Sequence, residues 1–162
     1  HDSSSVTYPV FTAIAAPEVQ NKLNGDFAII AGPYLQNLAT GGCELDYTLT
    51  FVSEKFISMV FFGVLDEGEK EIFAKIPLNI DVQTGAQLAL GDVLNLRDAD
   101  LLPVLRLLTK KDMVDFSKGI PESWYYNGTN FVFCQRSETG EWLEATVAAS
   151  DLKKFLLKPE LF

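Results

Sequence analysis

The chain has 162 residues and a mass of 18.0 kDa, which fits one domain burying roughly 70% of its unfolded surface, so a core can form without disulfide or metal staples. Apolar residues make up 48% and aromatics 12%, with 12 Phe, which excludes an intrinsically disordered chain. A net charge of −9 argues against nucleic acid and anionic lipid, both held through Lys and Arg, and leaves a cationic partner open.

Residues 1–5 are polar and Ser-rich and are expected to be a disordered N-terminal segment, ahead of a single domain over 6–162. Val6 to Val10 predicts a strand that Pro9 would confine to an edge. From Pro17, a good first-turn residue, Val19, Leu23, Phe27, Ile30, Tyr34 and Leu38 recur every three or four positions and mark one helix face. Gly32-Pro33 would kink or end that helix, and Gly41-Gly42 marks a turn.

Strands follow. Leu45, Tyr47, Leu49 and Phe51 alternate with Glu44, Asp46, Thr48 and Thr50, which predicts one face in the core and one in water. Phe56 to Leu65 reads as a second, buried strand and Asp66-Glu67-Gly68-Glu69 as the turn after it. Ala74, Ile76, Leu78, Ile80 and Val82 alternate through a third strand, where Pro77 suggests an edge or a bulge. Short turns between sequential strands favour an antiparallel meander.

A second helix is expected over Asp98 to Phe116, capped by Asp98 or Asp100, with Leu101, Leu105 and Leu108 on one face. Asn127-Gly128 is the strongest short hairpin signal and predicts a two-residue primed turn with positive φ at both positions. Asn127-Gly128-Thr129 also matches a glycosylation acceptor, but the hairpin explains the same residues. Leu143 to Ala148 predicts a last strand leading into a helix capped by Ser150, with Leu152, Phe155 and Leu156 inward. The fold class is therefore α+β: an antiparallel sheet with two main helices and a short C-terminal helix packed on it.

Chemistry is sparse. The one histidine is His1, at the terminus, so the body of the domain lacks the usual general base and the commonest metal ligand. The scattered glycines fit neither a phosphate loop nor a dinucleotide fingerprint. Cys43 and Cys134 lie far apart and are either two buried strand thiols or a disulfide. No catalytic residue, metal ligand or cofactor site is assigned. The candidate binding residues are the outward acids Glu44 and Asp46, the hairpin-tip acids Asp66, Glu67 and Glu69, and the aromatics Trp124, Tyr125, Tyr126 and Trp142. A carboxylate pair, for instance among Asp66, Glu67, Glu69 and Glu71, as in enzymes that cleave polysaccharide, is the competing reading.

No stretch reaches the ~18 apolar residues of a membrane-spanning helix. The chain has no initiating Met and no signal peptide, so a processed chain is expected, joined to a membrane only through a segment outside this sequence.

Three segments carry a resemblance. They are Asn79-Ile80-Asp81-Val82-Gln83-Thr84-Gly85-Ala86 with its continuation to Leu94, then Trp124-Tyr125-Tyr126-Asn127-Gly128-Thr129-Asn130-Phe131-Val132-Phe133, then Thr146-Val147-Ala148-Ala149-Ser150-Asp151-Leu152 with its continuation to Leu156. In this order the chain resembles an extracytoplasmic domain of unknown function shared by a lysozyme-sensing anti-sigma factor and a peptidoglycan deacetylase. The resemblance implies a non-catalytic cell-envelope binding or sensing module, secreted or anchored outside the membrane, with a cationic protein such as lysozyme or a cell-wall glycan as partner. The family's Gly-Gly-Ala-His-like turn is replaced here by Asp66-Glu67-Gly68-Glu69-Lys70-Glu71, and its Asn-Pro-Tyr-Glu-like stretch by Cys134-Gln135-Arg136-Ser137-Glu138-Thr139-Gly140-Glu141. It thus implies the kind of module more than its ligand.

Overall fold

The computed structural model describes residues 4–14, 16–39, 41–66, 70–110 and 112–162. Strands β1 (Ser5–Val6), β2 (Cys43–Val52), β3 (Phe56–Asp66), β4 (Glu71–Asp81) and β5 (Ala86–Gln87) form one sheet in that order. All neighbours are antiparallel except β1, which runs parallel to β2. A second antiparallel sheet contains β6 (Ser123–Tyr126), β7 (Asn130–Arg136) and β8 (Trp142–Ala148). The mixed, mostly antiparallel class is as expected, but the strands divide between two sheets.

Helix α1 (Pro17–Asn37) buries Val19, Leu23, Phe27, Ala31 and Tyr34 against Leu45, Ile57, Met59, Phe61, Leu78 and Ile80. Gly32-Pro33 does not end it. Pro33 cannot donate to the Ile29 carbonyl, and Ile29 lies on the outer face, 75% exposed, where solvent can satisfy that oxygen. Ile30 is only half-buried and Leu38, just past the last turn, is exposed.

The opposite face of the first sheet carries the other core. Phe56 packs there with Trp124, Tyr126, Phe131 and Phe133, closed by α2 (Leu90–Val93), α3 (Leu101–Leu108) and the C-terminal turns. Strand β3 serves both cores: every residue from Phe56 to Phe61 is buried. Alternation along β2 does not hold to its end, because the β2–β3 register shifts between Leu49 and Phe51. The bulge turns Phe51 onto the second core, 5.0 Å from the Tyr126 ring, and leaves Leu49 45% exposed.

Several expected boundaries move. Ser4 and Ser5, read as frayed, are held: the Cys43 amide donates to Ser4 Oγ, and Ser5 pairs with Glu44. The first strand ends at Val6, well short of Val10. The second helix covers only Leu101–Leu108, since its apolar period breaks at Thr109-Lys110, and Leu108 is exposed. A separate 3₁₀ turn, Phe116–Lys118, starts where Asp115 accepts from the Ser117 amide, and Arg106 ties it back by donating to the Phe116 carbonyl. The C-terminal segment Ala149–Phe155 is 3₁₀ and not α, and Ser150 does not cap it. Leu152 and Phe155, three apart, share one face at three residues per turn. The hairpin is present, but its turn residues are Gly128-Thr129: the Asn127 amide donates to the Asn130 carbonyl, and Asn127 keeps negative φ while Gly128 has φ +91°. Asn127 instead uses its side-chain oxygen, which accepts from the Thr129 and Asn130 amides. Cys43 and Cys134 are free, buried thiols in different sheets.

Candidate binding groove

The two sheets meet through side chains. Ser58 and Asn79, cross-strand partners on the face away from α1, are buried. Ser58 Oγ donates to Asn79 Oδ1 (2.7 Å) and accepts from the Tyr126 amide (2.9 Å), while Asn79 Nδ2 donates to the Trp124 carbonyl (2.7 Å). Two groups on the free edge of β6, the Tyr126 amide and the Trp124 carbonyl, are thus satisfied by polar side chains on the first sheet without another strand.

This junction covers only half of that face. On the uncovered half two cross-strand rows lie side by side, Asp46–Phe62–Lys75 and Glu44–Val64–Phe73. With Ser5 and Thr7 at one end and Trp142 of β8 as a wall, they line an open groove of about 420 Å³. Phe62 and Phe73 are 45% and 51% exposed on its floor. Lys75 pairs with Glu144, and its ammonium lies 5.6 Å from the Phe62 ring centre and 5.5 Å from that of Tyr125. The Tyr125 hydroxyl donates to the same Glu144 oxygen at 2.9 Å. Burial, then the bond to Glu144, raises the Tyr125 phenol above its ordinary value. Burial also pushes the Cys134 thiol up to about 12, with Lys75 opposing and Glu144 adding. The Lys75 charge is therefore consumed within the wall. Glu44 and Asp46 have no ion-pair partner among the described residues, and Trp142 Nε1 is buried with no hydrogen-bond partner.

Of the residues expected to bind, Glu44, Asp46 and Trp142 line the groove, and Tyr125 stands behind it in the Lys75–Glu144 cluster. Asp66 lies on the same face, two residues beyond Val64 toward the end of β3. Glu67 and Glu69 fall outside the described residues. Trp124 and Tyr126 are corrected: at 2% and 4% exposed they face the second core, because strand alternation turns only Tyr125 of that trio the other way. Sequence reading missed Phe62, Phe73, Lys75 and Glu144, since Phe61-Phe62 sits in an unbroken apolar run and only the register with β2 and β4 shows which ring is left uncovered. Among the described residues no three His, Cys, Asp or Glu are placed to hold a metal. Glu44 and Asp46 share one strand and one rim, so they do not flank a scissile bond from two sides as a glycosidase pair must.

The fold is that of domains in the DUF3298 family. One solved structure, a DUF3298 family protein from Pseudomonas aeruginosa PAO1, superposes with a TM-score of 0.61 over 90% of this chain and 83% of its own, at 13% identity. A DUF3298 member from Bacteroides fragilis NCTC 9343 gives 0.56 over 86% of this chain and 65% of its own, also at 13% identity. At that identity the likeness is one of fold. No family model and no curated protein matches the chain.

Proposed function

We propose that the protein is a non-catalytic binding or sensing module of the cell envelope, working outside the cytoplasm, and that the groove between its sheets takes the ligand. The observation that carries this reading is the pairing of exposed Phe62 and Phe73 with the acids Glu44 and Asp46, which have no ion-pair partner among the described residues. The shared fold with DUF3298 domains and the resemblance to the domain of an anti-sigma factor and a deacetylase support the compartment and the absence of chemistry. The ligand is a cationic protein such as lysozyme or a cell-wall glycan. The test is calorimetric titration with lysozyme and with soluble peptidoglycan fragments at low and high salt. Binding that weakens with salt and with Asp46→Asn is expected. Two results would overturn the reading: no binding of either at low salt, or glycan hydrolysis that disappears in Asp46→Asn.

A further inference from the structure

We infer that the protein takes an extended, cationic polypeptide segment as an added strand on the outer edge of β2. This rests on the proposed function, of whose two ligand classes it selects the polypeptide, and adds how that chain is held. β1 covers only the start of β2: Ser5 and Val6 lie opposite Glu44 and Leu45, and the Thr7 amide donates to the Leu45 carbonyl. From Tyr47 to Val52 the strand is paired with β3 alone. The Leu45 carbonyl points to the edge, so alternation turns the backbone groups of Tyr47 and Leu49 the same way. Past the bulge, the Ser53 amide donates across to the Phe56 carbonyl, which leaves Val52 facing out. The Tyr47 amide is capped from its own strand, donating to Asp46 Oδ1 at 2.8 Å. The Tyr47 carbonyl and the backbone groups of Leu49 and Val52 have no hydrogen-bond partner among the described residues. Their side chains are 45% and 57% exposed for Leu49 and Val52, so no other segment closes this stretch.

An open edge is ordinarily blunted by a charge, a proline or a covering segment, and Tyr47-Thr48-Leu49-Thr50-Phe51-Val52 carries neither charge nor proline. The vacant groups form a line of backbone donors and acceptors, which the backbone of another strand matches. Charge decides whose strand. Glu44 and Asp46 stand just upstream without an ion-pair partner among the described residues, on the face of β2 that lines the groove, so a Lys or Arg on that face of the added strand reaches Asp46. A second copy brings the same acids and the same net charge of −9 and is repelled. Leu49 and Val52 lie opposite Met59 and Ile57, on the α1 face. The fitting segment therefore alternates basic residues on one face with apolar ones on the other.

The probes are an octapeptide of alternating Lys and Val, the same peptide N-methylated along its pairing edge, and an octapeptide of alternating Glu and Val. Each is titrated by calorimetry into the protein and into Asp46→Asn and Leu49→Pro, with folding of each variant checked by circular dichroism. Methylation keeps every charge and side chain and removes the N–H groups that would pair, so it should weaken binding at least about ten-fold. Asp46→Asn, whose side-chain oxygen can still cap the Tyr47 amide, should weaken binding and flatten its salt dependence. Leu49→Pro deletes an outward amide and should also weaken it; if that variant does not fold, the methylated peptide carries the test on the unaltered protein. Equal binding of the methylated peptide overturns strand addition and leaves a ligand of the groove standing. Equal binding of the Glu peptide overturns the selection by charge. A dimer of the free protein in sedimentation that Leu49→Pro dissolves overturns the peptide in favour of a second copy. No binding of the Lys peptide at low salt, where lysozyme or peptidoglycan fragments bind, overturns this inference alone, and no binding of any of them overturns the proposed function with it.

Discussion

Ser58 and Asn79 do at the level of single atoms what a neighbouring strand would do for β6. Ser58→Ala leaves the Tyr126 amide and Asn79 Oδ1 unpaired in a buried setting, and Asn79→Ala does the same to the Trp124 carbonyl. Each should cost about 1–3 kcal/mol, and the double variant less than the sum, since the three bonds form one chain; urea denaturation of the four proteins checks this. Neither residue stands out in the sequence, because a Ser and an Asn inside apolar strands look like interruptions until the second sheet is placed on them. Cys134 makes a pH-dependent statement. The unfolded thiol ionises near its ordinary value of 9.0, whereas the native one holds its proton to about 12. Between those values the native state binds more protons, so stability is complete below the lower value and falls as pH rises through the window. The raised phenol of Tyr125 acts in the same sense. Urea midpoints at about pH 8 and about pH 10.5 should therefore differ less in Cys134→Ala than in the parent.

At the scale of elements, glycines on and under α1 should respond with opposite signs. A Cβ added at Gly63 of β3 would sit 1.9 Å from the Tyr34 hydroxyl oxygen and 2.3 Å from its ring carbon, so Gly63→Ala forces α1 off the sheet or Tyr34 out of its place and should cost about 1–3 kcal/mol. Gly25, within α1, has nothing within 4 Å of an added Cβ, and Gly25→Ala should stabilise by about 0.5–1 kcal/mol. Thermal melts of the two variants read both. The long helix and the meander were legible because their periods, 3.6 and 2, persist over many residues. The end of β2 was not: Leu49 and Phe51 continue a clean alternation, and only a bulge seen against β3 sends them to different surroundings. The C-terminal segment failed for a related reason, since Leu152 and Phe155 at a spacing of three fit a 3₁₀ turn as well as an α-helix.

For the whole molecule, sequence patterning showed which residues turn inward and did not show that they turn into two cores. Aromatics crowded into β6 and β7 were readable as core, but the face they pack against belongs to Phe51 and Phe56, more than 60 residues earlier in the chain. The same distance hid the groove, whose floor and wall come from different sheets. The excess of acid, −9 in all, should speed the approach of any cationic partner, so stopped-flow association rates should fall steeply with added salt while dissociation changes less. One strand links these parts. β3 is covered on both sides from Phe56 to Phe61 and bonded along both edges, so neither half of the protein can open without exposing it. The domain should then lose its structure in a single event despite its two cores. Amide protons over 56–61 should be the last to exchange with deuterium, at the rate set by global unfolding, whereas those of Asp112–Phe116 exchange early.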